Sequence, residues 1–168
     1  LSDDPATRRI PKLAVARVDG IGDGEILEKC AKAGFEIIAY GIESFDNTVL
    51  RNIGKETTAA QNIEVLEKTV AAGIKPGINL IFYTPWDTVE TTLANIKHSL
   101  FFMERGAYIN VVPYTAAGFG RPITKHEELL DYETYDFPGL KKPFKFPHRA
   151  KVFNPELAKI ADEAMQKL

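Results

Sequence analysis

Four short apolar runs, each separated from the next by segments of helical periodicity, leave few folds open to this chain. Residues 13-LAVARVD-19, 35-FEIIAYGIES-44, 75-KPGINLIFY-83 and 107-AYINVVPY-114 have the length and composition of strands. Between them, 24-GEILEKCAKAG-34 puts Ile26, Leu27, Cys30 and Ala31 on one helical face and stops at Gly34. Residues 46–53 read as a short helix with Asp46 as N-cap. Residues 58–73 read as a longer one, with Ile63, Leu66 and Val70 as the buried stripe and Thr58 and Gln61 spaced for a capping box. Residues 87–106 give the longest helix, with Asp87 as N-cap, Glu90 at N3 and Gly106 as its stop. The order is β-α-β-α-α-β-α-β. Strands joined through helices run parallel, with right-handed crossovers. The run 35–44, apolar nearly throughout, suits a strand covered on both faces.

Four such strands are about half of a (β/α)₈ barrel, which takes ~250 residues, and this chain has 168. The expected fold class is α/β over 1–120: either a small open parallel sheet or a parallel-stranded partial (β/α) barrel whose first strands are absent. An irregular Pro- and Phe-rich extension follows over 121–153, relieved only by a short helix at 124–133. A C-terminal helix covers 154–168, with Asn154 as N-cap and Pro155 in its first turn. The basic run 141-KKPFKFPHRAK-151 reads as a solvated tail that tucks Phe144 and Phe146 onto the domain.

Composition removes several classes of function. With 45% hydrophobic and 26% charged residues the chain is not disordered. Balanced charge, 21 basic against 23 acidic residues, gives no case for nucleic acid or a membrane surface. No apolar run nears the ~18–20 residues of a membrane span. No signal peptide is visible, so a cytoplasmic location is expected. One cysteine, Cys30, excludes a disulfide framework and any site drawing several thiolates from this chain. Within a helix it reads as a small core residue. His98, His126 and His148 share no metal-ligand spacing.

In parallel α/β proteins chemistry collects at the carboxyl ends of strands. Those ends carry Arg17 and Asp19; Glu43 and Ser44; Asn79, Tyr83, Thr84 and Trp86; and Asn110, Tyr114 and Thr115. Such a rim suits a polar organic ligand. Arginine binds a carboxylate in a bidentate pair, a glutamate accepts from a ribose diol, and the aromatic side chains with the Val111–Val112 backbone flank a base. The competing reading makes Arg17 and Glu43 a structural ion pair.

The stretch 34-GFEIIAYGIESFDNTVLRNIGKETTAAQNIEVLEKTVAAGIKPGINLIFYTPWDT-88 resembles the middle of a radical S-adenosylmethionine domain. It is most similar to the group often found with a cobalamin-binding domain. The likeness, over roughly residues 12–120, lies in the order and spacing of motifs: G-I-E-S after a strand, L-x-x-I-x-K, A-A-G-I, an apolar strand, then P-x-D-T. It implies the third to sixth strands of the barrel. It also implies that Glu43 contacts the ribose hydroxyls, that Lys55 lies near the methionine carboxylate, and that Arg17 serves the methionyl amine or carboxylate. Ser44 adjoins Glu43. Asn79 stands near the ribose, and Ile81, Phe82 and the Val112–Tyr114 backbone form the adenine-side wall. On the residues alone, Lys55 reads equally as a solvated lysine and Asn79 as a satisfier of neighbouring backbone groups.

The chain departs from the family in two places. Family members often have F-G-x-P-G-E-T where it has 82-FYTPWDT-88, so Tyr83 and Trp86 add bulk at the rim. The family's P-Y-P-G-T is replaced by 113-PYTAAGFGRP-122. The implied chemistry is reductive cleavage of S-adenosylmethionine to a 5′-deoxyadenosyl radical at a [4Fe–4S] cluster. Three thiolates must hold that cluster if one iron is to stay open, and this chain has one. The expectation is therefore part of a larger enzyme, inactive alone, with cobalamin implied by the resemblance only. The alternative is a binding or interaction domain that has lost the cluster loop. Substrate and reaction type are not legible. The sheet edge at 13–19 is expected either to drive self-association or to lie under residues 137–153.

Overall fold

The computed structural model describes residues 10–21, 24–114, 130–136, 138–139 and 141–165. Its main sheet holds four parallel strands in sequential order: β1 (Lys12–Ala16), β2 (Phe35–Glu43), β3 (Lys75–Phe82) and β4 (Tyr108–Pro113). The connections carry α1 (Val18–Ile21) and α2 (Gly24–Lys32), then α3 (Asn47–Asn52) and α4 (Ala59–Ala71), then α5 (Val89–Met103). This is the expected parallel α/β arrangement of a partial barrel. The first strand ends at Ala16, where a strand to 19 was expected; only Arg17 separates it from α1, and Asp19 lies within that helix.

The helices cover one face of the sheet. Ile38, Tyr40 and Ile42 of β2 and Ile78 and Leu80 of β3 point to that face and form the core with Leu27, Val65, Leu66 and Phe102. The residues that alternate with them (Ile37, Ala39, Gly41, Asn79, Ile81) are half-buried. On the same open face Leu13 and Val15 of β1 are 61% and 78% exposed. Hence β2 is covered on one side only among the described residues, where the apolar run suggested two. Among the described residues, none of 137–153 hides Leu13 or Val15.

Three sequence expectations change in detail. Ile26 is exposed, and Leu27 is the buried residue of α2. In α4 the buried face holds Asn62 and Thr69 beside Val65 and Leu66, while Ile63 and Val70 are half-buried. Both polar residues have partners that the apolar stripe did not suggest. Thr69 Oγ1 donates to Val65 O at 2.7 Å and meets the buried Tyr40 hydroxyl at 2.8 Å. Finally, Thr88, not Asp87, caps α5, in a box with Thr91 at N3. Asp87 instead binds the preceding turn: its carboxylate accepts from Thr84 N–H at 2.8 Å and from the Thr91 hydroxyl at 3.2 Å. The other caps stand as read, with Asp46 on α3 and the Thr58–Gln61 box on α4.

Beyond β4 the expected irregular segment contains an antiparallel pair, β5 (Leu130–Tyr135) with β6 (Phe144–Ala150). Residues 130–133 are therefore strand rather than helix, and the rest of the helix expected at 124–133 lies outside the described residues. The final helix, α6 (Pro155–Met165), begins as expected. Asn154 Oδ1 accepts from Glu156 N–H at 3.0 Å and Leu157 N–H at 3.1 Å. No described helix is long and apolar enough to cross a membrane.

Two predictions follow from the packing. Thr69→Val strands the Tyr40 hydroxyl in the core and should cost about 1–3 kcal/mol, read by urea denaturation; no loss would deny the pair a role. Burial pushes the Asp87 carboxyl up, against the pull of the bonds from Thr84 and Thr91. Its folded value lies above its unfolded one, so its contribution is full at low pH and is lost as pH rises through the folded value. Asp87→Asn lacks this loss. Its stability relative to the parent should rise from about pH 4 to about pH 7 in thermal melts, and a flat difference would contradict the burial argument.

Candidate functional site

The rim at the carboxyl ends of β1–β4 is organised around a distorted turn. Glu43, the last residue of β2, has φ +64°. Ser44 N–H donates to Ile42 O at 2.8 Å, which closes a three-residue γ-turn with Glu43 at its centre. The β2–β3 register also slips between Gly41 and Glu43, a bulge of the kind that re-aims a side chain. A left-handed conformation costs a residue with a side chain roughly 1–2 kcal/mol, and the surroundings must hold it.

Two buried asparagines do so from two helices. Asn62 of α4 donates Nδ2–H to Ile42 O and to Ser44 O, both at 3.0 Å, the carbonyls on either side of Glu43. Asn95 of α5 accepts from Phe45 N–H at 2.7 Å and from the Ser44 hydroxyl at 3.3 Å. Ser44 Oγ in turn accepts from Asp46 N–H at 3.1 Å. Ser44 is fully buried. Its expected place among ligand-binding side chains is therefore corrected: the hydroxyl faces inward and secures the turn.

The Glu43 carboxylate meets Lys55 Nζ at 3.2 Å, with side chains 22% and 23% exposed. Lys55 is thus a partner of Glu43 and not a free surface lysine. Gly41 makes room for the pair: a Cβ there would lie 2.6 Å from Glu43 Oε1 and 3.1 Å from Lys55 Nζ. Arg17 does not reach Glu43. It makes a bidentate pair with Asp19, at 2.9 and 2.8 Å, and lies 3.6 Å from Glu56. The structural ion pair considered between Arg17 and Glu43 is replaced by two separate pairs. Arg17 is 66% exposed, so its pairing adds little to stability and leaves the guanidinium accessible.

The remaining candidates divide by face. Asn79 lies on the open face and bridges strands: Nδ2 donates to Tyr40 O at 3.1 Å, and Oδ1 accepts from Asn110 at 3.0 Å. Its role as a satisfier of backbone is thereby seen. Phe82 alternates onto the helix face and packs against the core, so Ile81 is the β3 side chain on the open face. Val112, the register partner of Ile81, is 43% exposed there. Tyr114 is buried with Ile53, Ile81 and Trp86, and burial pushes its hydroxyl up to about 12.

Asn62 and Asn95 escaped the sequence reading because an asparagine on a helix carries no motif. The one available signal was a polar residue in line with Leu66 and Thr69 on a buried face. Cys30 lies on α2, half-buried against the core. His98 lies on α5 with its ring 4.7 Å from that of Phe45, and burial lowers its pKa.

No protein-family model matches the chain. Over 76 residues it is 41% identical to 4′-phospho-dehydrooxetanocin synthase of Priestia megaterium, a match that takes in 45% of this chain and 10% of that protein. The chain thus spans about a tenth of the length of that relative. Among solved structures, the radical S-adenosylmethionine methyltransferase TsrM of Kitasatospora setae, solved with cobalamin and a [4Fe–4S] cluster bound, superposes with TM-score 0.60 and 16% identity. That match covers 83% of this chain and 28% of TsrM. The radical enzyme coproporphyrinogen III oxidase of Escherichia coli gives TM-score 0.54 at 17% identity, over 93% of this chain and 38% of the oxidase. The chain carries the fold of the radical S-adenosylmethionine enzymes, one solved with cobalamin bound among them, as its sequence resemblance implied.

Proposed function

We propose that this rim binds S-adenosylmethionine within a radical S-adenosylmethionine enzyme, of which the chain supplies four barrel strands. The observation that carries the reading is Glu43: a carboxylate on a strained turn, fixed from behind by a fully buried asparagine and still in reach of a ligand. Strain that is held in place this firmly marks functional sites.

The residues present fit the ligand. Gly41 leaves the room that Glu43 Oε1 and Lys55 Nζ occupy, and Glu43 turns that one oxygen to Lys55, which leaves Oε2 able to accept from a ribose diol. Arg17 and Lys55, set among Asp19, Glu43 and Glu56, form a mixed-charge rim suited to the zwitterionic methionyl end. Asn79 with Asn110 lines the floor, and Ile81, Val112 and Tyr114 give the apolar side on which a base would rest. This chain has one cysteine and cannot supply the three thiolates of a [4Fe–4S] cluster; with such a cluster held elsewhere, bound S-adenosylmethionine would supply the one-electron chemistry. This chain's part is to orient the nucleoside and methionyl groups and to keep the charges paired. Cobalamin binding, as TsrM shows, is an extension of the same reading.

The test is calorimetric titration of S-adenosylhomocysteine into the protein that carries this chain. Loss of a charged hydrogen-bond acceptor in Glu43→Gln should weaken binding about 10–100-fold. Arg17→Ala should weaken it less, because Arg17 is the more solvated. Unchanged affinity in both would overturn the assignment of this rim and favour an interaction domain that keeps the sheet alone.

A further inference from the structure

Gly41 stands where the backbone does not call for glycine. It lies inside β2, and its φ is outside the left-handed region that Gly34, Gly54 and Gly73 adopt. A residue with a side chain can take this conformation, and glycine in the interior of a strand weakens it.

The space its side chain would fill is taken by the rim. An added Cβ would meet Glu43 Oε1 at 2.6 Å, Lys55 Nζ at 3.1 Å and Glu43 Cδ at 3.6 Å. These three nearest atoms are the far ends of flexible side chains, which can swing away at little cost to the fold. Gly77, one strand over, differs. Its Cβ would meet Ala39 Cβ at 3.0 Å and Ala39 Cα at 3.1 Å, atoms fixed to an internal strand. Gly77 is needed by the sheet, and Gly41 by the ion pair.

The same contacts locate the carboxylate. Tyr40 and Ile42 face the helices, so the side chain of residue 41 would point to the open face. The turn at Glu43 therefore folds its side chain back over Gly41, two residues down the strand. Gly41 is level with Asn79, and Asn79 with Asn110. One carboxylate and two hydrogen-bonded amides thus share a row across neighbouring strands, which lie roughly 5 Å apart. Lys55 holds the carboxylate end of that row at 3.2 Å.

We propose that Gly41 is a positioning residue: its missing side chain lets the Glu43 carboxylate lie back on the open face, in line with Asn79, where a ribose diol meets it. The inference rests on the reading of the rim given above. A methyl group at 41 displaces the carboxylate and Lys55 from the row and leaves the fold intact.

The test uses the protein that carries this chain, with S-adenosylhomocysteine as probe, and pairs calorimetry with thermal melts. Gly41→Ala is expected to keep or raise the melting temperature, because the backbone there suits alanine. It should weaken the probe about tenfold or more, as loss of a hydrogen bond to a charged group does. Glu43→Asp withdraws the carboxylate by one methylene from the space that a Cβ needs. In that background Gly41→Ala should cost little further, a rescue that a merely structural role would not give. Unchanged affinity in Gly41→Ala, with the probe weakened by Glu43→Gln, would overturn this inference and leave the rim assignment standing. Equal losses from Gly41→Ala in the parent and in Glu43→Asp would overturn it as well. So would a melting temperature that falls with the affinity, which would assign Gly41 to the fold. If neither Gly41→Ala nor Glu43→Gln weakens the probe, both readings fall.

Discussion

The arrangement of the rim depends on one buried contact, the Asn62 amide on the carbonyls of Ile42 and Ser44. A γ-turn leaves the carbonyls on either side of its centre poorly placed for sheet pairing. Ile42 O keeps the turn's own bond from Ser44 N–H, whereas Ser44 O buried without a partner would cost about 1–3 kcal/mol. Asn62 satisfies both from helix α4 and so converts an unfavourable turn into a fixed one. The bulge, the left-handed Glu43, the pair with Lys55 and the inward Ser44 all follow from that turn being held.

Helix placement explains why the rim faces a usable space. With α2, α4 and α5 on one face of the sheet, the other face carries Gly41, Asn79, Ile81, Asn110 and Val112, which are small, polar or half-exposed. In a closed barrel that face is the interior. The charged groups collect at its carboxyl end, where the first turns of the crossovers begin. Arg17 and Glu43 belong to adjacent strand ends, yet each finds a nearer partner, Asp19 and Lys55. Both cations of the rim are paired before any ligand arrives. A zwitterionic ligand exchanges partners there without exposing an unpaired buried charge.

Much of this was legible in the sequence. Period and glycine stops located the four strands and every helix through residue 114 except α1, whose first residues were read as the end of the first strand. Glu43 and Lys55 were singled out through the motif spacing of the resemblance, while their pairing with each other was not foreseen. What escaped was set by long-range geometry: the γ-turn, the two asparagines that brace it, and the side of β3 on which Phe82 falls. The strand at 130–135 was missed because its acidic, aromatic composition gives no clear period and its partner lies past a Pro-Gly turn. Asp87 was read as a cap since carboxylates are common there, and Thr88 with Thr91 had the better reciprocal geometry.

A double-mutant cycle between Asn62→Ala and Glu43→Gln, read as affinity for S-adenosylhomocysteine, tests the central claim most directly. If Asn62 acts on the ligand only by aiming Glu43, Asn62→Ala weakens binding in the parent and costs almost nothing further once Glu43 is neutralised. Additive losses, or full affinity in Asn62→Ala with the fold intact, would show that the braced turn does not position the carboxylate for binding.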